Sequence, residues 1–323
     1  MNDEFERKID YLRISVTDRC NLRCIYCMPE EGVAWAPHDE ILRYDEILRI
    51  CRCMAQLGIR KIKLTGGEPL VRKNLPWLAG KLKEVPGIEK VTMTTNGILL
   101  PRYVEELKAA GVDGINISLD TLNRKLFSRI TRRDSLEEVK KGIDAAYKSE
   151  IPLKINCVPL GIPEQDLMEI AELAKERKIH VRFIEMMPIG YGKNFTFQGE
   201  DEILQMVKER FGAVYPCDER LGNGPCHYYT VEGLQGRIGF ISAISHKFCS
   251  GCNRVRLTSQ GFLKACLQYE TGCDLRALVR GQASDEEIQK AARAVIEKKP
   301  EGHQFLKKEI REEESHSMAQ IGG

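Results

Sequence analysis

The sequence predicts an α/β fold, namely a partial, open (β/α)6 barrel of the TIM type followed by a C-terminal extension. Six short runs rich in β-branched residues lie between residues 11 and 187. Amphipathic stretches with helical periodicity separate these runs, and such alternation is typical of a parallel sheet covered by helices. Six units are fewer than the eight that close a barrel, so we expect this barrel to stay open.

The predicted strands follow one another along the first part of the chain. They are Tyr11–Thr17, Lys61–Gly66, Lys90–Asn96, Gly114–Asp120, Pro152–Val158 and His180–Met187. The helix before the second strand carries apolar residues at helical spacing from Ile47 to Met54, and it stops at Gly58. In a later helix, Ser135 followed by Glu138 predicts a capping box.

The alternation of strands and helices stops near residue 195, and a glycine-rich stretch beyond it predicts hairpins. Further helices are predicted over Glu200–Phe211, Asp274–Arg280 and Asp285–Lys298. We therefore predict that residues 1–195 form the barrel and residues 196–310 the extension. Residues 311–323 are expected to form a flexible tail, which ends in Gly322–Gly323.

The composition argues against several classes of protein. Hydrophobic residues make up 42% of the chain and charged residues 30%, which favours a packed globular core. The net charge of +2 argues against a strongly basic nucleic-acid binder. No apolar run approaches the ~20 residues of a membrane span, and the N-terminus has no apolar secretion signal. The 12 cysteines therefore favour metal binding in a reduced, cytoplasmic protein over a disulfide framework.

Three cysteines follow the first predicted strand with the spacing C-x3-C-x2-C. Cys20, Cys24 and Cys27 lie in a polar stretch, and three thiolates packed together need a cation between them. A structural zinc takes four ligands, and His38 and Cys51 do not follow at a usual spacing. An iron–sulfur cluster held by three cysteines keeps one iron open, as catalysis requires. The spacing thus favours a catalytic cluster over a zinc site.

The other conspicuous sequence signatures also fall where predicted strands end. In chain order these ends read DRCNLRCIYC, GGEP, TNG, SLD, VPLG and MMPIG. Because the carboxyl ends of parallel strands meet at one edge of the sheet, active groups gather there. We expect these segments to share one site.

A second group of cysteines lies in the extension with the spacing C-x2-C-x13-C. Its members are Cys249, Cys252 and Cys266. A zinc ribbon is one interpretation, because Cys273 could supply a fourth ligand. Arg254 and Arg256 lie two residues apart on a predicted strand, so both face one side. Two guanidinium groups beside the cysteines favour a polyanion, most simply a phosphate chain.

The cysteine stretch with Tyr26 before its third cysteine, together with GGEP at residues 66–69, resembles the radical S-adenosylmethionine superfamily. FCSGCNRVRL and the final glycine pair are similar to the GTP 3′,8-cyclases of molybdenum cofactor biosynthesis. The resemblance implies a lyase with two 4Fe-4S clusters, each held by three cysteines, and S-adenosyl-L-methionine. The open iron of the first cluster would bind S-adenosylmethionine, and that of the second would bind guanine. A 5′-deoxyadenosyl radical would then convert GTP to (8S)-3′,8-cyclo-7,8-dihydroguanosine 5′-triphosphate.

The same resemblance implies roles for individual residues. The catalytic, first-cluster ligands would be Cys20, Cys24 and Cys27, and the second-cluster ligands Cys249, Cys252 and Cys266. Cofactor contacts are expected from Tyr26, Gly67, Ser118, Met187 and Arg182, the last pairing with a carboxylate of the cofactor or the protein. Substrate contacts are expected from Arg13, Lys63, Thr94, Lys154, Arg254 and Arg256.

Two residues depart from the family pattern. Lys63 stands where the family commonly has arginine, so the charge is kept but the bidentate fork is lost, and we expect modestly weaker GTP binding. Cys273 is not required by the pattern; it is either a spare core thiol or a ligand that closes the second cluster. A closed cluster could not bind substrate through iron, so a spare thiol is favoured.

The resemblance also implies partners. They are GTP, a reductant protein for the cluster and, by transfer of the product, a downstream cyclic pyranopterin monophosphate synthase. Neither nucleic acid nor membrane is expected, and the protein would be a monomer or homodimer. Two alternatives stay open at this point. One is a radical enzyme that modifies a peptide and carries an auxiliary cluster, and the other is an iron–sulfur or zinc regulator without catalytic activity.

Overall fold

The computed structural model describes residues 1–196, 198–219, 221–305, 314 and 316–322. The first six strands are Tyr11–Ser15 (β1), Lys61–Thr65 (β2), Lys90–Thr95 (β3), Gly114–Ser118 (β4), Leu153–Cys157 (β5) and His180–Ile184 (β6). They pair in parallel and in sequence order from β1 to β6. Each strand lies within its predicted run, and the open parallel sheet is confirmed.

The extension adds strands to both edges of this sheet. They are Val214–Cys217 (β7), His227–Val231 (β8), Ile238–Ile241 (β9), Arg254–Leu257 (β10), Phe262–Lys264 (β11) and Gly272–Asp274 (β12). The described residues form one sheet in the order β12-β11-β10-β1-β2-β3-β4-β5-β6-β9-β8-β7. β10 lies parallel to β1, and β9 lies parallel to β6. The segment with the second group of cysteines therefore adjoins the strand that leads into the first.

Most of the helices cover the outer face of the sheet, whereas the last one, Met318–Ile321, lies on the cavity side. In chain order the helices are Tyr44–Gln56 (α1), Leu75–Lys83 (α2), Leu100–Ala109 (α3), Arg124–Thr131 (α4), Leu136–Lys148 (α5), Leu167–Glu172 (α6), Glu200–Phe211 (α7), Leu275–Arg280 (α8), Asp285–Glu297 (α9) and Met318–Ile321 (α10). None of the helices described here is long and apolar enough to cross a membrane. Of the predicted tail, residues 311–313, 315 and 323 lie outside the described residues, and α10 belongs to the remainder.

The predicted capping box at the start of α5 is wrong. Ser135 does occupy the N-cap position, but its side chain makes no capping hydrogen bond. Its backbone has φ −130° and ψ 24°, whereas a capping residue adopts the extended region, which aims its hydroxyl at the third amide of the helix. The sequence pattern of a capping box, Ser135 followed by Glu138, is present. The backbone conformation of Ser135, however, points its hydroxyl in a different direction.

The apolar core lies between the sheet and the helices and is shared by barrel and extension. Ile14 and Ile62 of the barrel belong to the same buried cluster as Val255 and Ile288 of the extension. The predicted division at residues 195 and 310 stays a prediction. On the other face of the sheet, polar and charged residues alternate with these apolar ones and point into the barrel, as the period of two in a strand requires.

Candidate active site

A single cavity of about 500 Å³ opens inside the barrel and is lined by residues from both parts of the chain. The residues predicted for the site all line it. They are Cys20, Cys24 and Cys27; Cys249, Cys252 and Cys266; Tyr26, Gly67, Ser118, Met187 and Arg182; and Arg13, Lys63, Thr94, Lys154, Arg254 and Arg256. The structure thus brings these side chains together, while the role of each stays a prediction.

The first triplet, Cys20, Cys24 and Cys27, lies in the loop after β1, and backbone contacts define the shape of that loop. The amide of Cys27 donates to the carbonyl of Cys24 at 2.9 Å, which forms a tight turn. Arg23 donates from its guanidinium to the carbonyl of Cys20 at 2.7 Å. Arg132, just after α4, donates to the carbonyl of Met28 at 3.0 Å. These bonds hold the three thiols on the cavity side.

The thiols of the first triplet are half-buried and disfavour each other's ionisation. Burial raises the pKa of Cys24 well above its usual range, and Cys27, Asp120 and Cys20 raise it further. Burial, followed by Cys20, raises the pKa of Cys27 to about 12. Three thiolates at this place therefore require a cation among them, and thiolates are the ligands that iron–sulfur clusters and zinc prefer.

The spacing of the thiols is wider than a single zinc ion would impose. Tetrahedral zinc with Zn–S bonds of about 2.3 Å places two thiolates roughly 3.8 Å apart. Among the residues that the structure describes, only Glu270, Glu314 and His316 bring three ligand atoms within 4.8 Å of one another. Both triplets are therefore more open than a mononuclear zinc site, as a larger cluster requires.

The GGEP segment after β2 packs directly on the first cysteine loop. A Cβ on Gly67 would lie 2.4 Å from the carbonyl oxygen of Arg19, and one on Gly66 would lie 2.5 Å from that of Thr17. The Gly67 amide donates to the Thr17 carbonyl at 2.7 Å, and the Glu68 amide donates to the Arg19 carbonyl at 2.8 Å. Only glycine allows this close approach of the two backbones.

Glu68 is a buried carboxyl group that the sequence did not single out. It accepts hydrogen bonds from the Thr95 hydroxyl and the Asn96 amide, both at 2.7 Å, and from the Leu70 amide at 3.0 Å. Burial raises the pKa of Glu68 to about 7, although these three donors lower it. Glu68 therefore ties the end of β2 to the end of β3, and its place within GGEP was the available signal.

Asp120 orients Tyr26, the aromatic residue that precedes the third cysteine. The Tyr26 hydroxyl donates to Asp120 Oδ2 at 2.8 Å, and the Val158 amide donates to Asp120 Oδ1 at 2.9 Å. Burial raises the pKa of Asp120 to about 6. Asp120 ends the SLD segment, which was predicted to lie at the site, but its contact with Tyr26 could not be inferred from sequence.

Six cationic side chains, here called the cationic cluster, project into the cavity from neighbouring strands. They are Arg13 on β1, Lys63 on β2, Lys154 on β5, Arg182 on β6, and Arg254 and Arg256 on β10. Arg13 lies opposite Lys63 on one side and opposite Arg256 on the other. The parallel register of β1, β2 and β10 therefore places these three cations in one row.

Burial and mutual repulsion destabilise the charged forms of the cationic cluster. Burial lowers the pKa of Lys63 well below its usual range, and Arg182, Arg13, Lys154 and Arg254 lower it further. Burial, helped by Arg182, lowers the pKa of Lys154 to about 8. In the described part of the chain, no carboxylate lies within 4.0 Å of the charged nitrogens of Lys63, Lys154 or Arg254. Such an arrangement is costly unless an anion occupies the cavity.

Arg182 contacts an amide rather than a carboxylate of the described protein residues. Its Nε donates to Asn156 Oδ1 at 2.9 Å, and Nη2 donates to the same oxygen. A pairing with a cofactor carboxylate stays a prediction. Asn156 lies beside Arg182 in the β5–β6 register and was missed, because a strand asparagine carries no distinctive sequence signal.

The second triplet consists of Cys249, Cys252 and Cys266. It lies on the opposite side of the cationic cluster from the first triplet. Cys249 begins a short 3-10 turn, and the Cys252 amide donates to the Cys249 carbonyl at 3.1 Å. Burial raises the pKa of Cys252, but the nearby cations Arg254 and Lys299 outweigh it, and that pKa falls to about 7. This thiol is therefore readily available as a thiolate ligand.

Cys273 lies apart from the second triplet. It is on β12, where it pairs with Leu263, and its side chain packs against the apolar core. It is absent from the cavity lining formed by the described residues. This position favours a spare core thiol over a fourth ligand.

The end of the chain reaches the cavity. The carbonyl of Gly322 accepts a hydrogen bond from Arg256 Nη1 at 2.7 Å, and Met318 lines the cavity. Gly322 has φ +89°, and a Cβ there would lie 2.7 Å from the Cβ of Ser15. Glycine is therefore required at this position by both conformation and space. Gly323 lies outside the described residues.

Comparisons with known proteins agree with these features. Residues 14–194 match the family described as the Radical SAM superfamily, and residues 179–305 match the family described as Molybdenum Cofactor Synthesis C. The chain is 43% identical over 324 residues to the GTP 3′,8-cyclase of Clostridium perfringens (strain 13 / Type A). It is 44% identical over 332 residues to that of Heliobacterium modesticaldum. Each alignment covers 100% of this chain and 100% of the relative.

A solved structure shares the fold. Streptococcus suis SuiB bound to S-adenosylmethionine has a TM-score of 0.60 with this protein, over 84% of this chain and 65% of SuiB. The identity of 17% limits this likeness to the fold.

Proposed function

This chain belongs to the radical S-adenosylmethionine superfamily and, within it, to the GTP 3′,8-cyclases, and we propose how its own residues carry out that reaction. It is a lyase that converts GTP to (8S)-3′,8-cyclo-7,8-dihydroguanosine 5′-triphosphate in the biosynthesis of the molybdenum cofactor. One observation supports the assignment of roles most strongly: two thiol triplets and a buried cationic cluster line the same cavity.

The first triplet would hold the 4Fe-4S cluster that the superfamily uses with S-adenosyl-L-methionine. The donor set fits, because Cys20, Cys24 and Cys27 are half-buried thiols in one loop and lie further apart than a zinc ion would allow. When bound, the cluster and S-adenosylmethionine supply the radical that removes a hydrogen atom from the substrate. The protein contributes position and exclusion of water.

Four cavity residues would position S-adenosylmethionine beside the first triplet. Tyr26 is oriented by its hydrogen bond to Asp120, so its ring direction is fixed before the cofactor arrives. Gly67 leaves its backbone accessible where any side chain would collide with the cysteine loop. Ser118, at the end of β4, and Met187, just after β6, face the same space.

The cationic cluster would bind the triphosphate of GTP. Arg13, Lys63, Arg254 and Arg256 come from three adjacent strands, and their charges are buried together in the cavity. A phosphate chain offers each of them charge-assisted hydrogen bonds and so removes the repulsion among them. Lys154 would reach the same anion. Arg182, whose guanidinium is held by Asn156, would instead contact S-adenosylmethionine. Thr94 would add a hydroxyl contact from β3.

A second 4Fe-4S cluster would be held by Cys249, Cys252 and Cys266. Support comes from the donor set, from the low pKa of Cys252, and from the position of Cys273 away from the cavity. Three thiolate ligands would leave one iron of this cluster free to bind the guanine of GTP.

One experiment tests both clusters. The chain is reconstituted anaerobically, its iron is counted, and S-adenosylmethionine, reductant and GTP are added. We expect about eight irons, corresponding to two four-iron clusters, and formation of 5′-deoxyadenosine that depends on GTP. About four irons and one zinc would contradict the two-cluster assignment. Deoxyadenosine without any change in GTP would point to a peptide-modifying enzyme instead.

A single substitution separates the two triplets. Cys249→Ser should keep slow cleavage of S-adenosylmethionine at the first triplet but abolish the cyclised product, because guanine loses its binding site. Cys273→Ser is the matched control and should keep both activities. Loss of the product in both variants would contradict the roles assigned to these cysteines.

The same proposal includes two partner proteins and a cellular compartment. A reductant protein would deliver the electron to the first cluster, and the product would pass to a cyclic pyranopterin monophosphate synthase. A reducing compartment such as the cytoplasm would suit the chain, because none of its 12 cysteines is in a disulfide bond.

A further inference from the structure

Lys299 is a buried cation that the proposed reaction does not use. It follows α9, its residue is 3% exposed, and it lines the cavity near the second triplet. Its ammonium group donates to the carbonyls of Arg254, at 2.9 Å, and Ala265. Within the described part of the chain, no carboxylate lies within 4.0 Å of this ammonium. Its charge is therefore compensated only by carbonyl dipoles and by whatever occupies the second triplet.

The two carbonyls that bind Lys299 belong to the segments that carry the cysteines. Ala265 immediately precedes Cys266, and Arg254 lies two residues after Cys252. The ammonium therefore bridges the two strands that present these ligands. The ammonium lies close enough to Cys252 and Cys249 for its charge to act on both thiols.

Arg7 fixes the backbone of Lys299 relative to Cys249, the first cysteine of the second triplet. Its guanidinium donates to the carbonyls of Lys299 at 3.2 Å, Pro300 at 2.7 Å and Glu301 at 2.8 Å. The same group donates to the carbonyl of Cys249 at 2.9 Å. Arg7 is itself 7% exposed and pairs with Asp3 through Nε at 2.6 Å.

The segment after Lys299 also packs on the cysteine. A Cβ on Gly302 would lie 3.2 Å from the Cβ of Cys249. The N-terminus, the 299–302 segment and the cysteine turn are thus joined into one unit, and the Lys299 ammonium lies inside it.

We propose that Lys299 is the internal counter-cation of the second cluster and that Arg7 is the residue that positions it. A cluster bound by three thiolates carries negative charge, and reduction adds more. A buried ammonium stabilises the reduced form more than the oxidised form, so it raises the reduction potential. The inference rests on the proposed second cluster, which must therefore be tested first.

The test uses the full chain with Cys20, Cys24 and Cys27 changed to Ser, so that only the second cluster is present. If this protein holds no four-iron cluster after reconstitution, the proposed function fails at that point, whatever Lys299 does. If it does hold one, its midpoint potential is measured by an EPR-monitored redox titration. Lys299→Gln should shift the potential downward, and Lys299→Arg should leave it close to the parent value.

Lys298→Gln is the matched control, because Lys298 is the exposed neighbour of Lys299 in sequence. It removes the same formal charge and should leave the potential unchanged. An unchanged potential in a fully loaded Lys299→Gln protein would overturn the proposal, as would equal shifts for positions 298 and 299.

Loss of the cluster would also be informative. If Lys299→Gln does not retain iron, the Lys299→Arg protein shows whether charge or shape is responsible. Iron retained by Lys299→Arg, with the potential of the parent protein, supports a requirement for charge. Failure of Lys299→Arg to retain iron would show that the lysine is needed only for its shape and would contradict the proposal. Arg7→Lys keeps the charge but loses the fork, so it should lower iron retention and broaden the EPR signal of the second cluster.

Discussion

At the scale of single residues, Lys63 combines an unfavourable environment with a predicted contact to substrate. It is 7% exposed, and four cations repel its charge. Lys63→Met should therefore raise the free energy of unfolding of the ligand-free protein, because a desolvated charge is removed. The same change should weaken GTP binding roughly 10- to 150-fold. This ratio corresponds to the loss of one hydrogen bond to a charged group, which contributes about 1.5–3 kcal/mol. Chemical denaturation and calorimetry measure the two effects.

The control for this prediction is Lys81→Met on the exposed face of α2, which should change neither quantity. Lys63→Arg restores the bidentate fork and should tighten GTP binding. If GTP affinity is the same in Lys63→Arg as in the parent chain, Lys63 does not contact the phosphates.

If Lys154 contacts the triphosphate as proposed, GTP binding should depend on pH. Its pKa of about 8 without ligand lies below the usual value for lysine. A bound triphosphate favours the charged form and raises this pKa, so protons are taken up on binding. The uptake should be largest between the lowered and the usual pKa, that is, above about pH 8. Calorimetry in buffers of different ionisation enthalpy measures it, and Lys154→Met should remove it; unchanged uptake would assign it to another group.

Asp120 links the stability of the fold to the orientation of Tyr26. Its two carboxyl oxygens each accept a donor, so Asp120→Asn must place an NH2 group against either the Tyr26 hydroxyl or the Val158 amide. We expect a loss of about 1–3 kcal/mol in the free energy of unfolding and weaker S-adenosylmethionine binding. Asp134→Asn, which alters an exposed ion pair, should leave both the free energy of unfolding and S-adenosylmethionine binding unchanged. Equal effects in both variants would contradict the role of Asp120.

Residues in dense motifs could be predicted from sequence, whereas isolated ones could not. The six cysteines of the two triplets and Gly67 lie in short sequence patterns that are typical of a specific chemistry. Asn156 and Lys299 are of common types, and their importance comes from neighbours far away in the chain, Arg182 and Ala265. Their partners become visible only when the strands are placed side by side.

At the scale of elements, the contact between GGEP and the cysteine loop is the most restrictive packing in the site. Gly67→Ala would place a methyl group 2.4 Å from the Arg19 carbonyl, so the loop carrying Cys20 must move. We expect the iron content to fall from about eight to about four, because only the first cluster is affected. Circular dichroism should show that the helices remain.

Gly199→Ala is the control for the Gly67 substitution, since a Cβ there meets nothing within 4 Å. Its iron content should equal that of the parent chain. Retention of about eight irons in Gly67→Ala would show that the loop tolerates displacement and that the close approach is not needed for cluster binding.

Elements with a local signal were predicted well. The six barrel strands lie within their predicted runs, because β-branched residues mark these runs and glycines follow several of them. The α5 cap failed, because the φ and ψ of Ser135 depend on the turn that precedes it rather than on its own sequence. Short antiparallel strands of the extension were expected only as hairpins, since glycine-rich stretches do not fix a register.

At the scale of the whole molecule, the barrel strands depend on the extension. β1 and β6 are both paired by extension strands, β10 and β9, and Val255 and Ile238 pack into the shared core. Residues 1–195 alone would expose two long parallel edges and part of the core. We expect this fragment to be insoluble or to unfold without cooperativity, as measured by sedimentation and thermal denaturation.

The matched control is residues 1–305, which keeps β9 and β10 and should remain soluble. A monomeric fragment of residues 1–195 with a sharp thermal transition would contradict this expectation and would support the predicted division of the chain at residue 195.

The order of the twelve-stranded sheet could not be derived from sequence. Right-handed βαβ units fix the order from β1 to β6, because each strand pairs with its neighbour in the chain. The β1–β10 pairing joins residues far apart in sequence, such as Tyr11 and Arg254, and nothing in either strand specifies the other. The placement of both triplets in one cavity depends on this one long-range pairing.

The β1–β10 pairing also sets an order of events during synthesis of the chain. β1 and the first cysteines leave the ribosome about 230 residues before β10, a delay on the order of 10–50 s at usual elongation rates. During that interval β1 has an unpaired edge and the cavity lacks one side. Met318 and Gly322, which complete the cavity, are made later still than β10. We therefore expect metal to be loaded at the first triplet only after the extension has folded onto β1.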